Sequence, residues 1–108
     1  MAVLIVTTNE VAGYEVQEVL GEVFGLTVRS RHLGSQIGAS FKSLFGGELG
    51  GMTKMLVEGR EEAIRRLVDE AELKGANAIL AMRFDTSELG STWTELCAYG
   101  TAVRIKKL

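Results

Sequence analysis

Two β-prone segments, Tyr14–Ser30 and Thr92–Lys106, constrain the fold most, because both carry apolar or small residues on both sides. In the second segment one side holds Trp93, Cys97, Tyr99, Thr101, Val103 and Ile105, while the other holds Leu96, Ala98, Gly100 and Ala102. Val23–Val28 is two-sided in the same way. A sheet with one face in water alternates apolar and polar residues more cleanly than this. The sheet built from these segments therefore needs cover on its second face or along an edge. Helices supply cover for one face, and another subunit is the economical source of the rest.

Size points the same way. The 108 residues make one domain, residues 1–108, in which roughly 60–70% of the surface is buried on folding. A hydrophobic share of 46% is more than so small an interior needs. The surplus apolar surface predicts a homo-oligomer.

Glycine alone punctuates the chain, with 13 glycines and no proline. Ala2–Thr8 is expected as a first strand, and Asn9 to Gly13 as a turn. Gly21 and Gly25 inside Tyr14–Ser30 mark a bulge or bend, or two strands running on from each other. Gly34 or Ser35 opens a first helix, with Ile37, Phe41, Leu44 and Phe45 at helical spacing, broken by Gly46-Gly47. Gly50-Gly51 precedes the longest periodic stretch, Met52 to Lys74.

The core face of that second helix is Leu56, Ala63, Ile64, Leu67, Val68 and Ala71. Its outer face pairs Glu61 with Arg65, Glu62 with Arg66 and Arg66 with Glu70. Gly59 costs about 1 kcal/mol in a helix interior relative to alanine, so a close packing contact is expected there. Gly75 suits the C′ position. Asn77–Thr86 alternates Ala78, Leu80, Met82 and Phe84 against Ile79, Ala81, Arg83 and Asp85, and Ser87–Ser91 is read as a hairpin loop. The resulting order is β-β-α-α-β-β, an α+β fold with an antiparallel or mixed sheet and helices on one face.

A net charge of −2 and 6% aromatics give no cationic field and no stacking stripe, so neither nucleic acid nor a membrane surface is an expected partner. No apolar run approaches the ~20 residues that span a bilayer. The single Cys97 suits a reducing compartment, which places the protein in the cytoplasm.

An ordered set of blocks resembles the YbjQ-like family of small proteins labelled heavy-metal-binding. The blocks run through Gly13-Tyr14-Glu15-Val16, Leu20-Gly21-Glu22-Val23, Arg29-Ser30-Arg31-His32-Leu33-Gly34 and Gly46-Gly47-Glu48-Leu49. They continue through Gly75-Ala76-Asn77-Ala78 and Arg83-Phe84-Asp85-Thr86-Ser87 to Ala98-Tyr99-Gly100-Thr101-Ala102-Val103. The resemblance covers nearly the whole chain and implies an α+β subunit of a pentameric ring. Met52 and Gly59 depart from the family pattern, where an aromatic residue and alanine are common.

The metal label meets a chain with one cysteine, one histidine, no CxxC and no HxxxH. A monomer cannot assemble a Cys/His zinc site from these. A ring could gather copies of Cys97 or His32 on its axis, but a buried cysteine is more often a small hydrophobe. Arg29, Ser30, Arg31 and His32 form the densest polar cluster and stand just before a helix start, where an anion is favoured. They suggest a pocket for a phosphate- or carboxylate-bearing ligand. The competing expectation is that these arginines pair with carboxylates such as Glu48 or Glu22. Gly46-Gly47-Glu48 and Gly50-Gly51 lack the phosphate-loop lysine and hydroxyl, and GxGxxG is absent. Thr7, Thr8, Ser30, Tyr99 and Thr101 offer hydroxyls, with His32 the lone histidine to activate one.

The expected function is therefore a non-enzymatic ring binding a small ligand or ion at subunit junctions, without a cofactor. Its expected site comprises Arg29, Ser30, Arg31, His32 and Glu48. The alternatives are metal or metalloid binding through Cys97, or a scaffold ring for another protein.

Overall fold

The computed structural model describes residues 2–30, 50–90 and 93–108. Strands β1 (Leu4–Ile5) and β2 (Tyr14–Ser30) come first, followed by helix α1 (Gly50–Leu73), β3 (Ala78–Leu89) and β4 (Trp93–Lys107). The sheet order is β1-β3-β4-β2, with β1 parallel to β3 and the other pairs antiparallel. The fold is α+β with a mixed sheet, as expected. The expected first helix around Ile37–Phe45 lies outside the described residues.

β2 and β4 run beside each other from Tyr14 opposite Lys107 to Ser30 opposite Trp93. A strand of this length spans about 55 Å at roughly 3.3 Å per residue, and the longest extent of the molecule is 55 Å. The radius of gyration is 17.1 Å, against about 13 Å for a compact domain of this size. Among the described residues one helix packs on this long ribbon, on one of its faces.

α1 packs on β2 and β4 through Ala63, Leu67 and Ala71, all fully buried, against Val23, Ala98 and Ala102. Leu56, Ile64 and Val68 are half-buried on its flanks. The approach is close because of Gly25: a Cβ there would lie 2.0 Å from the Ala63 carbonyl oxygen and 2.5 Å from the Leu67 nitrogen. Gly25 thus serves contact with the helix and not a bend. Gly21, at φ 105°, does sit at a bulge, next to the register shift between Val19 and Gly21.

The helix ends as Gly75 predicts. Gly75 has φ 83°, the Ala76 N–H donates to the Ala71 carbonyl at 3.0 Å, and the Gly75 N–H donates to Glu72 at 2.9 Å, the Schellman pattern. Arg104 of β4 donates to the Gly75 carbonyl and fastens this corner to the sheet.

Several boundaries and the β3 alternation differ from the sequence-based expectation. β1 is only Leu4–Ile5, because only these residues meet β3 in register at Ala78 and Ile79. Gly50 and Gly51 belong to α1 instead of preceding it. β3 continues to Leu89 opposite Trp93, so Ser87–Leu89 of the expected Ser87–Ser91 loop are strand. The β3 alternation is broken by a bulge between Leu80 and Arg83, where Ala81 takes φ 53°. That bulge exchanges the faces: Ile79 and Phe84, expected on opposite sides, both pack against the helix-side core.

Before the bulge, Ala78 and Leu80 turn to the other face, where Val103, Val6, Val11 and Ile105 join them in a second small core. Asn77 braces this end, its amide nitrogen donating to the Ile105 carbonyl at 3.0 Å and its oxygen accepting the Ile105 N–H at 2.7 Å.

Candidate functional site

Strand periodicity decides what the sheet presents. On β2, Val23, Gly25 and Thr27 are buried under α1, so the intervening Glu22, Phe24, Leu26 and Val28 lie on the face away from the helix. Register brings Tyr99 beside Phe24, Cys97 beside Leu26, and Glu95 beside Val28. On its other side β4 places Arg83 at Tyr99, Asp85 at Cys97, Ser87 at Glu95 and Leu89 at Trp93. Phe24 is 49% exposed, Val28 45%, Trp93 47%, Leu89 45%, Tyr99 39% and Leu26 38%. Among the described residues these side chains give one face of the sheet a run of exposed apolar groups, with Glu22, Arg83, Asp85 and Glu95 beside them, the two-sidedness noticed in the sequence. The small core around Val6 and Val11 covers only the other end of that face.

Arg29 lies on the opposite side of the sheet from Cys97. Its Nη2 donates to Glu62 Oε2 at 2.8 Å and more weakly to the Glu58 carbonyl at 3.4 Å. Glu62 also accepts from Arg65 at 3.1 Å and from Arg66 at 3.0 Å. Three guanidinium groups thus converge on one carboxylate, an excess of two positive charges within the quartet. The arrangement borders an open groove of about 430 Å³ lined by Leu26, Thr27, Val28, Arg29, Glu62 and Arg66. Arg29 Nε is buried without a hydrogen-bond partner. A Cβ at Gly59 would stand 3.6 Å from that Nε and 2.9 Å from Leu96 Cδ1, so Gly59 is the close contact its helical position predicted.

Arg29 therefore does pair with a carboxylate, and the partner is Glu62 on α1, a residue expected only to pair along its own helix. Ser30 closes β2 opposite Trp93. Arg31, His32 and Glu48 lie outside the described residues, as does the His32-based dyad.

Cys97 is half-buried within the open face, and its thiol contacts the Ala98 carbonyl at 3.9 Å. Burial pushes its pKa up, and the carboxylates of Glu95, Asp85 and Glu22 push it in the same direction. At neutral pH the group is a thiol, and any cation binding there must displace its proton. Among the described residues no three His, Cys, Asp or Glu side chains are grouped to hold a metal ion. No described helix is long and apolar enough to cross a membrane. Asp85 escaped the sequence reading because its nearness to Cys97 depends on the β3 bulge, which sets the register, whereas Glu95 shares the Cys97 face by alternation along β4.

Residues 3–106 match the family model YbjQ_1, described as "Putative heavy-metal-binding". A UPF0145 protein of Acidothermus cellulolyticus is 65% identical over 105 residues, covering 97% of each chain. The UPF0145 protein YjfJ of Lactococcus lactis is 57% identical over 106 residues, covering 98% of this chain and 97% of its own. These designations name no reaction. A crystal structure of a DUF74-family protein of unknown function from Pediococcus pentosaceus superposes with a TM-score of 0.66 at 19% identity. It covers 96% of this chain and 98% of that one. At that identity the likeness concerns the fold alone.

Proposed function

This chain belongs to the YbjQ_1 family, and on that premise we propose that it is the subunit of a non-enzymatic homo-oligomeric ring, a pentamer, that binds a small ligand or ion where subunits meet. The observation that carries this is the open apolar face of Phe24, Leu26, Val28, Leu89, Trp93 and Tyr99. Exposed apolar surface of this kind marks an association site, and the 17.1 Å radius of gyration fits a subunit whose second layer comes from a neighbour. The ring works in the cytoplasm, where its lone cysteine stays reduced. One domain spans the 108 residues.

Two places suit a ligand. The Arg29–Glu62–Arg65–Arg66 quartet has donors to spare for a phosphate or carboxylate. Arg31, His32 and Glu48 remain part of this proposed anion site. A second reading, metal or metalloid capture, is favoured by the register that sets Cys97 beside Asp85, with Glu95 and Glu22 near enough to raise the thiol pKa. Because that patch lies on the associating face, copies from neighbouring subunits would complete a ligand set that one chain lacks. A ring that serves as a scaffold for another protein is the remaining alternative.

Native mass spectrometry of the protein as purified from its host tests the proposal. A closed ring carrying extra mass supports binding, and that mass distinguishes a metal from an organic anion. A ring without adducts removes the binding half, and a monomer removes both.

A further inference from the structure

β2 is an edge strand: β4 pairs with one side of it, and among the described residues nothing pairs with the other. Its central stretch, Val23-Phe24-Gly25-Leu26-Thr27-Val28, holds no charge and no proline. A six-residue uncharged window rich in β-branched and aromatic residues, placed on an edge, is a template for pairing with an identical segment of another copy. The strand itself carries no lysine to discourage this.

The helix supplies what the strand lacks. Arg66 donates to the Leu26 carbonyl, and Lys74 Nζ donates to the Glu22 carbonyl at 3.4 Å. Leu26 and Glu22 are four residues apart, so both carbonyls leave the strand on the same side. Arg66 is on α1 and Lys74 directly follows its last residue, Leu73, so the two are eight residues apart, about two helical turns or roughly 12 Å. Four strand residues cover roughly 13 Å. The two cations are thus spaced to meet alternate outward carbonyls of the edge.

We propose that Arg66 and Lys74 guard the β2 edge: by holding the carbonyls of Leu26 and Glu22, they keep a second copy's β2 from adding to this sheet. The guard concerns the edge and not the apolar face, so it stands apart from the ring proposal. It allows subunits to associate by their faces while preventing open-ended strand addition. A second β2 approaching the edge must displace two charged donors from the carbonyls they hold and take both cations out of water.

The test is R66M/K74M, compared with the matched R65M/K54M, which likewise removes two cations and one Glu62 partner. The probe is a fluorescein-labelled nonapeptide of the sequence Glu22–Ser30, followed by anisotropy on protein whose folding is checked by circular dichroism. R66M/K74M is expected to bind the peptide at least tenfold more tightly than the wild type and the matched control. It should also form assemblies larger than the wild-type particle. A peptide carrying proline in place of Leu26 should lose this binding, since strand pairing needs that N–H. Equal binding by both double variants, no binding by R66M/K74M, or unchanged binding of the proline peptide overturns the guard. If R66M/K74M fails to fold, K74M alone carries the test with the same expected direction, because it leaves every Glu62 ion pair in place.

Discussion

Arg29 and Glu62, 33 residues apart, meet at 2.8 Å and tie the end of β2 to the middle of α1. Both side chains are about three-quarters buried, at 28% and 25% relative exposure, so the contact is a partly desolvated ion pair and not a surface one. Removing Glu62 would leave Arg29 with only a long bond to the Glu58 carbonyl and would strip Arg65 and Arg66 of a shared partner. Glu62→Ala is expected to cost about 1–3 kcal/mol of stability. Glu61→Ala, on the exposed face one residue away, should stay within about 0.5 kcal/mol. Urea unfolding of the two variants checks this.

Two glycines buried at the helix–sheet contact should respond to alanine very differently. Gly25→Ala drives a Cβ into the helix backbone at Ala63 and Leu67, which cannot give without moving α1. A loss of about 3 kcal/mol or more is expected. Gly59→Ala meets the end of the Leu96 side chain, which can rotate, and it gains about 1 kcal/mol of helix propensity. Its net change should lie near zero. Thermal denaturation of both variants separates a backbone clash from a side-chain one.

The Cys97 thiol gives a pH-dependent prediction. Its folded pKa is raised by burial first, then by Glu95, Asp85 and Glu22. A raised thiol pKa means that the folded state holds the proton more tightly than the unfolded chain does. The associated stability is fully present below the ordinary thiol range and is lost as pH rises through the higher folded value. Alkylation of the folded protein should therefore lag behind a free thiol at pH 8 and catch up only at higher pH. D85N/E95Q should shift that profile to lower pH, and an unchanged profile would contradict the placement of those carboxylates.

Much of the fold was legible from periodicity. Tyr14–Ser30 is a strand with the expected bounds, the long helix and its Gly75 cap are where the spacing put them, and Gly59 makes the expected close contact. What the sequence hid depends on long-range register. The bulge at Ala81 has no local signature such as glycine, so Ile79 and Phe84 were assigned to opposite faces. The Arg29–Glu62 pair was hidden because i,i+4 spacing accounts for Glu62 within its own helix. The edge contacts of Arg66 and Lys74 involve backbone carbonyls, which sequence patterns do not mark at all. The two-sided character of β2 and β4, by contrast, was visible at once and becomes the open face of Phe24, Leu26, Val28, Trp93 and Tyr99.

That face is the proposed subunit interface, and the most direct measurement is the solution mass of the wild type beside F24E/V28E by light scattering coupled to size exclusion. Both substitutions lie on the exposed side of β2, leave the helix-side core untouched, and place charge where apolar contact is proposed. The wild type should elute as a single closed oligomer, and F24E/V28E as a folded monomer. A monomeric wild type, or an oligomer of unchanged mass in F24E/V28E, would contradict assembly through this face.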